Sequence, residues 1–244
     1  MTQLLLELDT APQFSFDNLV AHEGNETAVS SVRTVYVDGP PPFPPLFVHG
    51  PESSGKTHLL KALCSALGDR PDLPGGSPIY LDSFDISEDC SELTNLFHDT
   101  SVPETVPRAV ILDDVHELPT PGVPAFWDVF NRSLRFGAPL IASSRRGVED
   151  TFPDNAHVQS RLLSGLVLSL EHPHDNGRLM IMDKLARDRN IRVSQDVFRY
   201  LIARRSRSLK EMEDLIRTLD EHSLEMQRRI TIPFIKMLEK EGFL

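Results

Sequence analysis

The sequence predicts an α/β fold: a parallel sheet with helices on both faces, followed by a small all-helical domain. Three observations lead to it. Short apolar runs recur at Leu46-Phe47-Val48-His49, Pro78-Ile79-Tyr80-Leu81, Ala109-Val110-Ile111-Leu112, Pro139-Leu140-Ile141-Ala142 and Val167-Leu168-Ser169-Leu170, with room for a helix between them. A glycine-containing turn, Gly50 to Gly55, separates the first run from Thr57-His58-Leu59-Leu60-Lys61-Ala62-Leu63, which has helical spacing. After His172-Pro173 only helical periodicity remains, so a domain boundary is expected near Glu171 to His174.

Taken in order, residues 1–9 read as a detached tail and Asn25 to Tyr36 as a helix. Gly39-Pro40-Pro41-Pro42-Phe43-Pro44-Pro45 stops that helix and acts as a stiff connector. Phe126, Phe130 and Leu134 fall on one helical face and are expected in the core. The C-terminal helices are expected at about Asn176 to Arg189, Ser194 to Arg204, Ser208 to Ser223 and Thr231 to Lys240. Ser208 with Glu211 has capping-box spacing, and Thr231 before Pro233 suits a first turn. The expected domains are the tail 1–9, a base domain 10–172 and a helical domain 173–244.

A length of 244 residues allows one large core and one small one. With 40% hydrophobic and 25% charged residues, and apolar runs well short of a membrane span, no bilayer crossing is expected. The first residues have no basic region, and Glu7 interrupts their apolar stretch, so a cytoplasmic protein is expected. The two cysteines, Cys64 and Cys90, are far apart without metal-ligand neighbours and fit reduced thiols rather than a zinc site. A formal net charge of -11 opposes polyanions, so DNA is expected to matter only through a partner.

Gly50-Pro51-Glu52-Ser53-Ser54-Gly55-Lys56-Thr57, with His58 beside it, has the parts of a triphosphate cradle. Glycines let backbone amides turn toward phosphate oxygens, and the following helix adds its N-terminal dipole. Lys56 neutralises terminal-phosphate charge and Thr57 offers a hydroxyl to Mg²⁺. The competing reading is an ordinary glycine turn. Asp113 and Asp114 end an apolar strand as in a Walker B motif, where the first acid supports Mg²⁺ and the second polarises a water. Two acids after a strand also occur as a plain turn. Leu140-Ile141-Ala142-Ser143-Ser144-Arg145 supplies polar groups where a γ-phosphate sensor can stand, and Arg161 precedes a further strand. Arg204, Arg205, Arg207 and Lys210 lack interleaved aromatics and read as helical surface with one phosphate contact.

With these motifs in view, the chain resembles the DnaA branch of the AAA+ proteins over nearly its whole length. The matching segments are Phe14 to Val20 with Asn25, Gly50 to Leu60, Ile111 to Leu118 and, within the Hda group of that branch, Thr218 to Lys236. The resemblance implies an AAA+ base with a helical lid, ADP or ATP with Mg²⁺ as ligand, and an adenine-proximal segment that includes Asn18. It implies that Arg161 is an arginine finger, that Lys210 stands at the sensor 2 position usually held by arginine, and that Ser144 stands where sensor 1 usually has an acid. These departures bear on self-hydrolysis more than on nucleotide binding.

Gln3-Leu4-Leu5-Leu6-Glu7-Leu8 resembles the hexapeptide by which Hda proteins bind the polymerase sliding clamp, with Gln3, Leu4, Leu6 and Leu8 as contacts. The implied role is a regulator that docks on ATP-bound DnaA through the Arg161 face, with a homodimer through that face also open. DnaA would continue into a helix-turn-helix DNA-binding domain, and this chain stops at Leu244. Two other readings stay open at this point: a self-sufficient ATPase such as a helicase loader, and a shortened DnaA paralogue that joins initiator filaments.

Overall fold

The computed structural model describes residues 14–97, 105–119, 122–204 and 208–244. The tail 1–9, with Gln3, Leu4, Leu6 and Leu8, lies outside the described residues, as do Arg205 and Arg207. In chain order the elements are α1 (Glu26–Val32) with a π-helical turn (Arg33–Val37), β1 (Leu46–His49), α2 (Lys56–Gly68), β2 (Ile79–Asp82) and α3 (Ser91–Thr94). Next come β3 (Val110–Asp113), α4 (Gly122–Phe136), β4 (Leu140–Ser144), α5 (Val148–Thr151), α6 (Ala156–Leu163) and β5 (Leu166–Ser169). Helices alone follow: α7 (Asp175–Asp188), α8 (Gln195–Ile202), α9 (Leu209–Glu225) and α10 (Ile232–Glu241).

The five strands form one parallel sheet in the order β2-β3-β4-β1-β5. Each strand run is apolar without alternation because both sheet faces are covered. Phe47, Val110, Leu112, Leu140 and Ala142 join a core with Phe126, Val129 and Phe130 of α4 and Val158 and Leu162 of α6. Their strand neighbours Leu46, Val48, Ile111 and Ile141 join a second core with Leu59, Leu60 and Leu63 of α2, Val32 of α1 and Tyr36. The period-two switch along one strand therefore builds two cores from one sheet. The proline-rich connector is fastened at both ends. The Tyr36 hydroxyl donates to the Pro44 carbonyl at 2.7 Å, and the Arg70 guanidinium donates to the Val37 and Gly39 carbonyls at 2.6 and 3.1 Å.

The helical region has its own core, in which Met182 and Ile181 meet Phe198, Leu201, Met212, Ile216, Ile235 and Leu238, with Val20 from the N-terminal segment packed against it. The predicted caps form. Ser208 Oγ accepts from the Glu211 amide at 3.2 Å, and Thr231 Oγ1 accepts from the Phe234 amide at 3.4 Å. Among the described residues no helix is long and apolar enough to cross a membrane.

Two expectations need correction. Leu134 is not in the core: it is 51% exposed, and Ser133, 1% exposed, takes the inward position. The inward stripe of α4 is Phe126, Val129, Phe130 and Ser133, and at about 100° per residue Leu134 has drifted some 80° from Phe126. The span between β2 and β3, where a full helix had room, holds among the described residues a 3-10 turn (Ser83–Asp85) and the four-residue α3. Before it, the Ser87 hydroxyl lies 2.6 Å from carboxylate oxygens of both Glu92 and Asp89 and donates its one proton to either, and such side-chain bonds compete with a regular helix.

These burial differences set an expectation for α4. Phe130→Ala should lower unfolding free energy by about 3–5 kcal/mol through lost transfer energy and a cavity. Leu134→Ala should change it by no more than about 0.5 kcal/mol. Urea denaturation followed by far-UV circular dichroism checks both, and equal losses would contradict this assignment of the α4 core face.

Candidate functional site

Because all five strands are parallel, their carboxyl ends share one edge, where open α/β sheets place ligand sites. β1 ends at His49 beside Ser144 of β4, and the Gly50 amide donates to the Ser144 carbonyl at 3.2 Å. β3 ends at Asp113 on the other side of β4. The glycine turn and the two acids therefore meet across the end of one strand.

The turn has the shape of an anion cradle. Gly50 lies so close to the chain after β5 that a Cβ there would stand 2.2 Å from the Leu170 carbonyl oxygen, which restricts the position to glycine. Gly55 caps α2 at φ +95°, and Ser53 holds φ 57°, so alternate residues of the turn adopt left-handed backbone, the kind of conformation from which anion-binding concavities are built. Ser54 Oγ is buried and has no hydrogen-bond partner among the described residues. Lys56 is 6% exposed, and its ammonium donates to the Gly50 and Pro51 carbonyls at 3.0 Å each. Burial pulls its pKa below the usual lysine range, opposed by Asp114 and Asp113. Thr57 follows, half-buried at the first turn of α2. A strong cation, an unmade hydroxyl bond and a helix N-terminus fit a di- or triphosphate.

Asp113 is fully buried. Tyr80 Oη donates to its Oδ2 at 2.7 Å, and Ser143 Oγ donates to its Oδ1. Ser143 Oγ also accepts from the Asp114 amide at 2.9 Å, so one hydroxyl orients both acids. Asp114 sits at φ 52° and ψ 45°, a left-handed conformation that costs a non-glycine residue energy but that aspartate tolerates. Its Oδ1 is buried without a hydrogen bond among the described residues, and burial together with the Asp113 charge raises its pKa. Thr57 with Asp113 suits a hard divalent cation, and Asp114 suits a water-polarising base, because its pKa already lies above the ordinary range.

The remaining expected residues spread outward. Ser144 is fully buried, but its hydroxyl meets Thr151 Oγ1 at 2.8 Å and the Arg146 amide at 3.1 Å, while Ser143 meets the acids. Neighbouring strand residues face opposite ways, so only one of the two serines can meet them. Asn18 Oδ1 accepts from Lys184 Nζ of α7 at 3.0 Å. His58 stands near that segment, with Nε2 3.3 Å from the Ser15 carbonyl and its ring edge-on to Phe14 at 5.2 Å; burial lowers its pKa. Glu52 is exposed at the cradle's rim and paired with Arg145 at 3.5 Å. Lys210 is exposed in the first turn of α9. Arg161 is exposed on α6, flanking the stripe of buried Val158 and Leu162.

Tyr80, His116 and Lys184 carry no signal in the sequence, and Ser143 and Arg145 enter it only within the polar strand end Leu140 to Arg145. His116 lies 3.9 Å from Asp114, and burial holds its pKa below the ordinary value. Strand alternation is the one signal that pointed to Ser143. The others arrive through contacts between distant parts of the chain.

Comparison with known proteins now gives this arrangement a family. Residues 10–169 match the model of the bacterial DnaA ATPase domain, and residues 175–238 match that of the Hda lid domain. Domain III of the Thermotoga maritima replication initiation protein DnaA is similar at 22% identity and TM-score 0.76, covering 94% of this chain and 97% of that one. AMPPCP-bound DnaA from Aquifex aeolicus is similar at 22% identity and TM-score 0.67, covering 83% of this chain and 63% of that one. The Thermotoga maritima RuvB Holliday junction branch migration motor shares the fold at 16% identity and TM-score 0.69, covering 93% of this chain and 73% of that one. A parallel sheet with its cradle and acids on one edge, joined to an Hda-type helical lid, places the chain in the bacterial DnaA ATPase-domain family of AAA+ proteins.

Proposed function

We propose that this chain is a nucleotide-bound regulator of replication initiation that promotes hydrolysis of ATP held by DnaA. The observation that carries the reading is the succession of a DnaA-type ATPase domain and an Hda-type lid in one chain. In this reading residues 1–9 are the tail that binds the sliding clamp, residues 10–172 the base and residues 173–244 the lid, in a cytoplasmic protein.

ADP or ATP would lie in the Gly50 to Thr57 cradle, with His58 and Asn18 toward the base. Lys56 would neutralise phosphate charge, and Thr57 and Asp113 would hold Mg²⁺. Lys210, with Ser144 behind the strand end, would complete the nucleotide's surroundings. A divalent cation held by Thr57 and Asp113 would supply charge neutralisation to the phosphates. What this chain gives its partner is Arg161, whose exposed position on α6 leaves the guanidinium available to a nucleotide held by a second molecule. An arginine in that role stabilises charge developing on the transferred phosphoryl oxygens. DNA would enter only through the clamp and DnaA, in keeping with the formal net charge of -11.

A second reading, a self-sufficient ATPase, is favoured by the Asp113–Asp114 pair and the cradle standing at one sheet edge. Turnover by the isolated protein separates the two.

The decisive assay follows hydrolysis of DnaA-bound ATP with clamp loaded on DNA. The intact chain should accelerate it, and Arg161→Ala should lose that acceleration, since a finger supplied in trans is worth about 10³ to 10⁵ in rate. Nucleotide affinity of the variant should be unchanged. Removal of residues 1–9 should lose the acceleration as well. If the intact chain binds nucleotide and clamp yet leaves the partner's ATP untouched, the regulator reading is wrong.

Asp114 gives a pH signature. Its folded-state pKa is raised, so the folded protein binds the proton more tightly, and stability rises as pH falls through that raised value toward the unfolded value near 3.8. At neutral pH the ionised carboxylate is a stability cost. Asp114→Asn should therefore raise Tm at pH 7, aided by asparagine's tolerance of the left-handed backbone, and the gain should shrink as pH falls through the raised pKa. Thermal melts across that range check it; a gain independent of pH would point to backbone strain alone.

A further inference from the structure

The helical region holds a cavity that none of the roles above uses. It lies between α7, α8 and α9, has a volume of about 450 Å³, and is walled by Met182, Leu201, Ile202, Met212 and Leu215. Close packing leaves an ordinary core few voids larger than a water molecule, whereas apolar small-molecule sites run from about 300 to 1,000 Å³. Met182 and Met212 are 1% and 4% exposed, and their flexible thioethers can pack around occupants of different shape. Arg204 and Glu211, both exposed, stand in the same lining, so the cavity reaches the surface beside them.

One member of the lining is out of keeping with a hydrophobic core. The Arg178 side chain is 8% exposed, and its Nη1 donates to Asp175 Oδ1 at 3.0 Å. Its Nε is buried without a hydrogen-bond partner among the described residues. A buried guanidinium with an unmet donor is costly, and an acceptor placed at Nε removes that cost. The acids of the lining do not serve. Asp214 accepts from Arg217 Nη2 at 2.6 Å, and Glu211 is exposed in the first turn of α9. A carboxylate can take one edge of a guanidinium through parallel bonds, and the edge that includes Nε stands open. An apolar cavity with one unmet cationic donor matches a ligand with an apolar body and a single negative head.

We propose that this cavity is a second ligand site, which takes a small amphipathic carboxylate: the tail fills the space between Met182, Met212 and Leu215, and the head bonds Arg178. The site is independent of the cradle and of any action toward DnaA. Head and tail are both required. A tail alone leaves the Arg178 donor unmet, and a carboxylate alone leaves the apolar walls facing water. The helical region would thereby hold a ligand of its own, apart from the nucleotide.

The test is titration calorimetry of the full-length chain with octanoate, kept below micelle formation, beside octanol and acetate. Octanoate should bind as a single molecule per chain, about 10-fold or more tighter than octanol, the scale of a charge-assisted bond, and acetate should give no measurable binding. Arg178→Met keeps an unbranched side chain and removes the charge. It should weaken octanoate by about 10-fold or more and move octanol by less than about 2-fold, a selective loss that misfolding cannot produce. Leu215→Trp, which places a ring in the cavity from a half-buried position, should lose both ligands. Absence of octanoate binding, octanoate no tighter than octanol, or octanoate binding that either variant leaves unchanged would overturn the proposal. Equal weakening of octanoate and octanol by Arg178→Met would overturn it too, since the arginine would then only shape the cavity.

Discussion

A buried carboxylate is the constraint around which the carboxyl edge of this sheet is arranged. Asp113 is fully buried, and an isolated ionised carboxylate in such surroundings would be prohibitively costly. The surrounding strands supply what water would have supplied. β2 contributes the Tyr80 hydroxyl, β4 contributes Ser143, and the Lys56 ammonium from α2 adds a favourable field. Because the same Ser143 oxygen also takes the Asp114 amide, satisfying one acid fixes the backbone of the next. Asp114 makes that bond from a left-handed backbone conformation, and burial beside a second negative charge raises its pKa. Satisfying the charge of the first acid and placing the second are one arrangement here.

The same edge explains why β4 matters more than its sequence suggests. It lies between the strand that leads into the cradle and the strand that ends in the acids, so any shift of its register would move both. Close packing on both faces by Phe47, Phe126 and Phe130 on one side and Leu46, Leu59 and Leu63 on the other resists such a shift. Site geometry is thereby held by the two hydrophobic cores, and the loops need supply only side chains.

Much of this was legible in the residues because the relevant periods are short. Strand runs, the cradle and the paired acids are local patterns, and parallel strands bring their ends together whatever the details of packing. The caps at Ser208 and Thr231 are equally local. Where local pattern fails, the reason is visible. Leu134 sits eight residues from Phe126, far enough for helical drift to carry an apolar residue out of the core. Ser143 and Ser144 are chemically alike, and only their alternation across the strand separates them. Tyr80 meets Asp113 across 33 residues, and Lys184 meets Asn18 across 166, pairings that no window along the chain contains.

That last pairing bears on how the two parts of the molecule communicate. The segment from Phe14 to Val20 rests on His58 of α2 at one end, while Val20 packs into the helical core at the other, with Lys184 fastening its middle. Farther on, the Glu23 carboxylate accepts the His174 amide at 2.6 Å, directly before α7. The helical region is thus joined to the sheet domain by the chain after Leu170 and also by a strap that touches the helix carrying the cradle's lysine. A change in the cradle that moves α2 must be taken up by this strap or passed to α7. Arg161 lies outside that linkage on α6, which packs against the sheet through Val158 and Leu162. The outward arginine is therefore held by the base core, so its position depends on the sheet and not on the setting of the lid.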